Sequence, residues 1–178
     1  MRRLAMLLAL LWHPALAQTL PQVRIVDYGE FVASRELGPR DPVSPGEAQD
    51  PVMMVEEPRI VDRTTRIEAR LCLRFGMMFT VDGLGPTDTL ALTARSEHPP
   101  MLHPDGRVST GAAYVLQADG SRPSLVGFAF DDPWELAAGP WTFTVMLGDA
   151  VLAEQRFDVV VPDGPARMSR ARCSSVVS

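Results

Sequence analysis

The sequence predicts an all-β protein, an antiparallel immunoglobulin-like β-sandwich of 7–9 strands, and three observations lead there. From Ile67 to Val81 every second residue is apolar: Ile67, Ala69, Leu71, Leu73, Phe75, Met77, Phe79 and Val81. Alternation sustained that long is the period of a strand with one buried face, and on a helix the same residues would scatter round the circumference. Shorter runs with the same period recur downstream, separated by turn formers such as Asp82-Gly83, Asp119-Gly120 and Gly148-Asp149. Outside the N-terminus no amphipathic pattern of helical length is present. A small barrel is the alternative architecture.

Taken in order, the chain opens on a basic Met1-Arg2-Arg3. An apolar run from Leu4 to Trp12 follows, and Ala15-Leu16-Ala17 supplies small residues at a cleavage spacing. This is the pattern of a secretory signal peptide cut after Ala17. A membrane-spanning helix needs about 20 apolar residues, and His13-Pro14 ends this run far short of that. The expected product is therefore a periplasmic or secreted chain with no transmembrane segment: a leader at residues 1–17, one domain at 18–162, and an Arg-bearing tail at 163–178.

Val23 to Ala33 is rich in β-branched and aromatic residues and predicts a first strand. Ser34 to Pro58 holds Pro39, Pro42, Pro45, Pro51 and Pro58, which remove amide donors, so residues 34–58 are expected as a surface loop. That loop would leave the first strand at a sheet edge. Within the long alternation, Gly76 predicts a bulge or bend in one strand or in two collinear ones. Further strands are expected at Thr89–Ser96, Ala112–Ala118, Ser124–Phe130, Trp141–Leu147 and Val151–Val161. Gly148-Asp149, with Gly first, predicts a type II′ hairpin turn between the last two. Glu135–Ala138 has room for a single helical turn.

Of the 178 residues 46% are hydrophobic and 22% charged, a balance that rules out wholesale disorder. All 17 basic side chains are Arg against 22 acidic ones, a net charge of −5. Nucleic-acid binding is excluded, because it needs a basic face to displace counterions. With one Cys near the middle and one in the tail of an exported chain, a Cys72–Cys173 disulfide is expected to fasten the tail across the outer face of the 67–81 strand. A buried free Cys72, or an intermolecular bridge through Cys173, are the alternatives.

Several segments together carry a family resemblance. They are Arg74-Phe75-Gly76; Glu97-His98-Pro99-Pro100 with Pro104-Asp105-Gly106; Phe130-Asp131-Asp132-Pro133-Trp134-Glu135-Leu136 leading into Gly139-Pro140-Trp141-Thr142-Phe143; and Leu152-Ala153-Glu154-Gln155-Arg156-Phe157-Asp158-Val159. In these the chain resembles the secreted bacterial domain of unknown function 3859 family over about Val23 to Val161. The resemblance implies export and domain limits, and it implies no catalytic residue.

Catalytic chemistry is poorly supplied. Beyond His13 of the leader only His98 and His103 remain, Lys is absent, and no G-x-S-x-G, H-E-x-x-H, phosphate-binding Gly loop or C-x-x-C is present. The expectation is a non-enzymatic binding or structural module of the cell envelope, without cofactor, whose partner is an envelope protein or glycan. Trp134, after a turn and beside Asp131 and Asp132, is the candidate ligand contact, since an indole ring can stack on sugar or peptide. Packing at the sandwich end is the plainer use of that ring. The alternative function is copper binding by the His98–Asp105 loop, where His98, Met101 and His103 offer imidazole and thioether ligands. A glycan-processing enzyme, the third class, needs two carboxylates facing each other across a cleft.

Overall fold

The computed structural model describes residues 20–40 and 52–163. Two sheets face each other across one core. The first holds four strands in the order β4 (Arg59–Asp62), β1 (Gln22–Val32), β6 (Arg74–Asp82) and β9 (Ser124–Ala129). The second holds five: β5 (Arg66–Glu68), β11 (Ala150–Val160), β10 (Gly139–Leu147), β7 (Thr89–Leu102) and β8 (Val108–Asp119). Every neighbouring pair is antiparallel except β5 with β11. A separate two-stranded ribbon joins β2 (Arg35–Arg40) to β3 (Val52–Glu56). Pro133–Glu135 forms one 3-10 turn. No helix among the described residues is long and apolar enough to cross a membrane. The expected sandwich is the observed fold, with nine strands in its two sheets.

The residues that alternate in the sequence are those that fill the interior. Phe75 is its centre: its ring lies 5.3–5.5 Å, centroid to centroid, from Phe130, Trp141, Phe143 and Phe157. The contacts are stacked with Phe130 and edge-to-face with Trp141 and Phe157, arrangements that suit aromatic quadrupoles. Phe75 comes from β6, Trp141 and Phe143 from β10, and Phe157 from β11, so the cluster joins the two sheets.

Five sequence expectations are corrected. The 67–81 alternation is not one strand or a collinear pair. Ile67 belongs to β5 in one sheet and Phe75 to β6 in the other, and residues 69–73 cross between them. Both strands point alternate residues into the same interior, so the apolar phase runs through the crossover unbroken. Cys72 therefore lies in the crossover turn at φ +67, not on a strand's outer face. Its amide donates to the Phe130 carbonyl at 2.7 Å, and the Phe130 amide donates to Leu73 at 3.0 Å. Gly76, expected at a bulge, sits in the regular ladder of β6, opposite Gly29 on one side and Gly127 on the other. The strand approaches β9 so closely there that a Cβ would lie 2.3 Å from the Val126 carbonyl oxygen.

The first strand is not a simple edge. Directly after Pro58 the chain turns back as β4, which pairs with Glu30–Val32. Among the described residues the N-terminal half of β1 keeps an open side, because β4 ends there while β6 pairs β1 from Gln22 to Glu30. The 34–58 segment is also not wholly loop, since its described ends form the β2–β3 ribbon with Pro39 opposite Met53. The Gly148-Asp149 turn follows expectation: Leu147 pairs with Ala150, Gly148 has φ +57, and Asp149 has no positive φ, the type II′ pattern. The leader and the tail beyond Asp163, including Arg167, Arg170, Arg172 and Cys173, lie outside the described residues.

Candidate functional site

The sequence-predicted candidates meet at one end of the sandwich, where the segment from Phe130 to Gly139 folds over the tip of the β7–β8 hairpin. Asp132-Pro133-Trp134-Glu135 has the spacing of a helix N-terminal box, in which an acidic side chain three residues on reaches back to the entering amides. It does so here. One Glu135 carboxylate oxygen accepts from the Asp131 amide at 2.6 Å and the Asp132 amide at 2.7 Å. The Glu135 amide donates to the Asp132 carbonyl at 3.1 Å, and the Trp141 indole N–H donates to Ala137 at 3.0 Å. The segment is thus tied to itself and to the core.

That position perturbs the acids. Burial raises Glu135 from 4.5 to about 7; the two amide donors oppose this, and the neighbouring Asp131 and Asp132 charges add to it. Partial burial also raises Asp131, with Arg74 pulling the other way and Asp132 adding to the rise. Trp134 does not stand free. Its ring lies 4.2 Å from that of His103, centroid to centroid, and it packs against the core. Trp134, Asp131 and Asp132 are therefore brought to one place, with the indole half-buried and the two Asp residues exposed.

The copper candidates are each packed against another part of the domain. His98 is in β7, within an irregular stretch that spans both prolines; pairing with β8 lapses after Glu97 and resumes at Met101 opposite Ser109. Prolines without amide donors make that lapse, in the stretch that the sequence predicted to be part of the His98–Asp105 loop. The His98 ring lies 4.7 Å from Trp141, its Nδ1 donates to the Pro99 carbonyl at 2.8 Å, and burial lowers its pKa. Met101 is buried in the core. His103 is buried beneath Trp134, with Nε2 2.8 Å from Ser109 Oγ and Nδ1 3.4 Å from an Arg107 nitrogen. Among the described residues no group of three or more His, Cys, Asp or Glu side chains is placed to hold a metal ion.

The Ser109–His103 contact resembles a nucleophile and its base, but its polarity is reversed. Guanidinium has no acceptor, so Arg107 must donate to Nδ1. The ring proton is then on Nε2 and is donated to Ser109 Oγ, leaving no lone pair there to take the hydroxyl proton. Arg107 is itself steadied by Asp105, whose Oδ2 accepts from its Nε at 2.7 Å, and this bond holds the Asp105 carboxyl below its usual range. Sequence reading missed Ser109, Arg107 and the reach-back of Glu135. Only the last had a local signature, the acid three residues after Asp132.

A family model described as "Domain of unknown function (DUF3859)" matches residues 20–159. The chain belongs to that family. The DUF3859 chain is also similar to a solved immunoglobulin-like protein from Pseudomonas aeruginosa, at 28% identity and a TM-score of 0.56, over 81% of this chain and 99% of that one. A search of curated proteins finds no match. The matched range includes the whole site segment, Phe130 to Gly139, and both sheets.

The DUF3859 domain should show the Glu135 perturbation in its stability. A carboxyl raised in the fold binds its proton more tightly there than in the unfolded chain. Its stabilisation is complete below about 4.5 and fades as pH rises to about 7. Glu135→Gln keeps an acceptor for both amides and removes the titration. Thermal melts should show the variant level with the parent near pH 4.5. By pH 8 it should be the more stable by about 1–2 kcal/mol, allowing for solvent screening. Parallel pH profiles for the two proteins would refute the assignment.

Proposed function

We propose that this DUF3859 chain is an exported, non-enzymatic binding or structural module of the bacterial cell envelope. One observation carries the reading: the groups that could do chemistry at the Trp134 end are occupied in holding the fold. His103 donates to Ser109, Glu135 collects two backbone amides, and the His98 ring packs against Trp141. An immunoglobulin-like sandwich recognises partners through end loops or strand edges, which require no reacting side chain. Export rests on the Arg2-Arg3, Leu4–Trp12 and Ala15–Ala17 pattern. In that compartment Cys72 and Cys173 form a disulfide that anchors the tail at the 69–73 crossover, in keeping with the absence of a free cysteine among the described residues.

Fractionation and intact mass test this together. The expected species is periplasmic or extracellular, starts at Gln18, and is two hydrogens lighter than its reduced form. A cytoplasmic chain that retains Met1–Ala17 and two free thiols would overturn export and bridge alike. A covalent dimer would move the bridge to Cys173 of two chains. For the binding role, the processed protein is used to capture partners from periplasmic extract, with proteins, glycans and copper all assayed. Retention of one protein or glycan supports the module; turnover of a captured molecule would sink the non-enzymatic part.

A further inference from the structure

Among the described residues, the N-terminal half of β1 has strand partners on one side only. β6 pairs it from Gln22 onward, whereas β4 reaches no further than Glu30. β11 of the facing sheet comes near without joining its ladder. Such a row of unpaired amides and carbonyls is a template for another strand, and soluble proteins guard it with charge or bulges. This edge has both. The register shifts between Ile25 and Asp27, so Val26 is bulged. Across the bulge lies one side chain, Arg63, from the link between β4 and β5.

Arg63 makes three contacts with consecutive residues of that edge. One of its terminal nitrogens donates to the Val26 carbonyl at 3.4 Å, its Nε lies 3.3 Å from Asp27 Oδ1, and its guanidinium carbon sits 5.1 Å from the Tyr28 ring centroid. A surface ion pair contributes little to stability, with most exposed pairs worth about 0–1 kcal/mol. Three contacts spent on one exposed strand margin are better explained by what they obstruct.

We propose that Arg63 is a stop that keeps the open half of β1 from pairing with a second copy of this chain. The occupant follows from charge complementarity. Two copies placed antiparallel about a point between Ile25 and Val26 set Arg24 of each opposite Asp27 of the other. Opposite charges in facing positions favour such a pairing. In the single chain both charges are already matched, Arg24 to Asp82 at 2.9 Å and Asp27 to Arg63. Removing Arg63 releases the Val26 carbonyl and the Asp27 carboxylate together, which are the groups the second copy needs.

Sedimentation equilibrium on the purified chain tests this with three proteins. The parent should be monomeric, and Arg63→Ala should dimerise at concentrations roughly tenfold or more below any at which the parent does. Arg63→Ala combined with Arg24→Glu should return to monomer, because Glu then faces Asp27. Hydrogen exchange on the dimer should show new protection at residues 22–26. A parent that already pairs through this edge, a monomeric Arg63→Ala, or a double variant that still dimerises would each overturn the proposal. Arg63 is exposed, so thermal melts of the variants at concentrations below dimerisation are expected to match the parent and to separate misfolding from association.

Discussion

Phe75→Ala is expected to destabilise the domain by about 3–5 kcal/mol, the range seen when a buried aromatic is cut back in a core that relaxes only in part. Phe75 is fully buried, and three rings from the facing sheet and one from the Phe130 loop lean on it. Each aromatic pair adds about 0.5–1.5 kcal/mol beyond simple burial, so losing the hub removes several such contributions together. Against a total stability of about 5–15 kcal/mol that loss is large. Urea denaturation followed by Trp fluorescence measures it directly, since Trp141 touches the deleted ring. Phe75→Leu, which keeps most of the volume, should cost distinctly less. If the two variants were equally stable, the core would not be organised around this ring.

The same residue shows what the sequence could reveal. Phe75 was legible as core because its neighbours at every second position are apolar, and a strand with one buried face must have that period. The crossover at 69–73 was not, since β5 and β6 face one interior and keep a common phase. The short β4 was hidden for a different reason. Arg59-Ile-Val-Asp62 is mostly exposed and joins β1 by backbone hydrogen bonds, which leave little hydrophobic trace. At the site, the Glu135 reach-back could be read from its spacing to Asp132. The placement of His98 against Trp141 and of His103 beneath Trp134 could not, because those contacts are made by strands and loops distant in the chain.

Gly29→Ala is expected to be among the costliest of small substitutions, about 3 kcal/mol or more, because two independent penalties coincide there. The residue holds φ +131, a region L side chains rarely adopt, and an added Cβ would lie 2.0 Å from the Asp62 carbonyl oxygen and 2.9 Å from the Thr64 amide nitrogen. Both atoms are backbone, so relief requires the 62–64 link to lift away from β1. Gly148→Ala is the control: its φ is +57 and nothing among the described residues lies within 4 Å of the new methyl, so it bears only the backbone strain of about 1–2 kcal/mol. The contrast in melting temperature separates close approach from conformation. A second consequence follows from the chain path, since Arg63 lies between Asp62 and Thr64 and must move with them. Gly29→Ala should therefore lose amide protection across β4 and gain the self-association expected of Arg63→Ala. If it melted like Gly148→Ala and kept β4 protected, the tight crossing of β1 by the 62–64 link would be wrong.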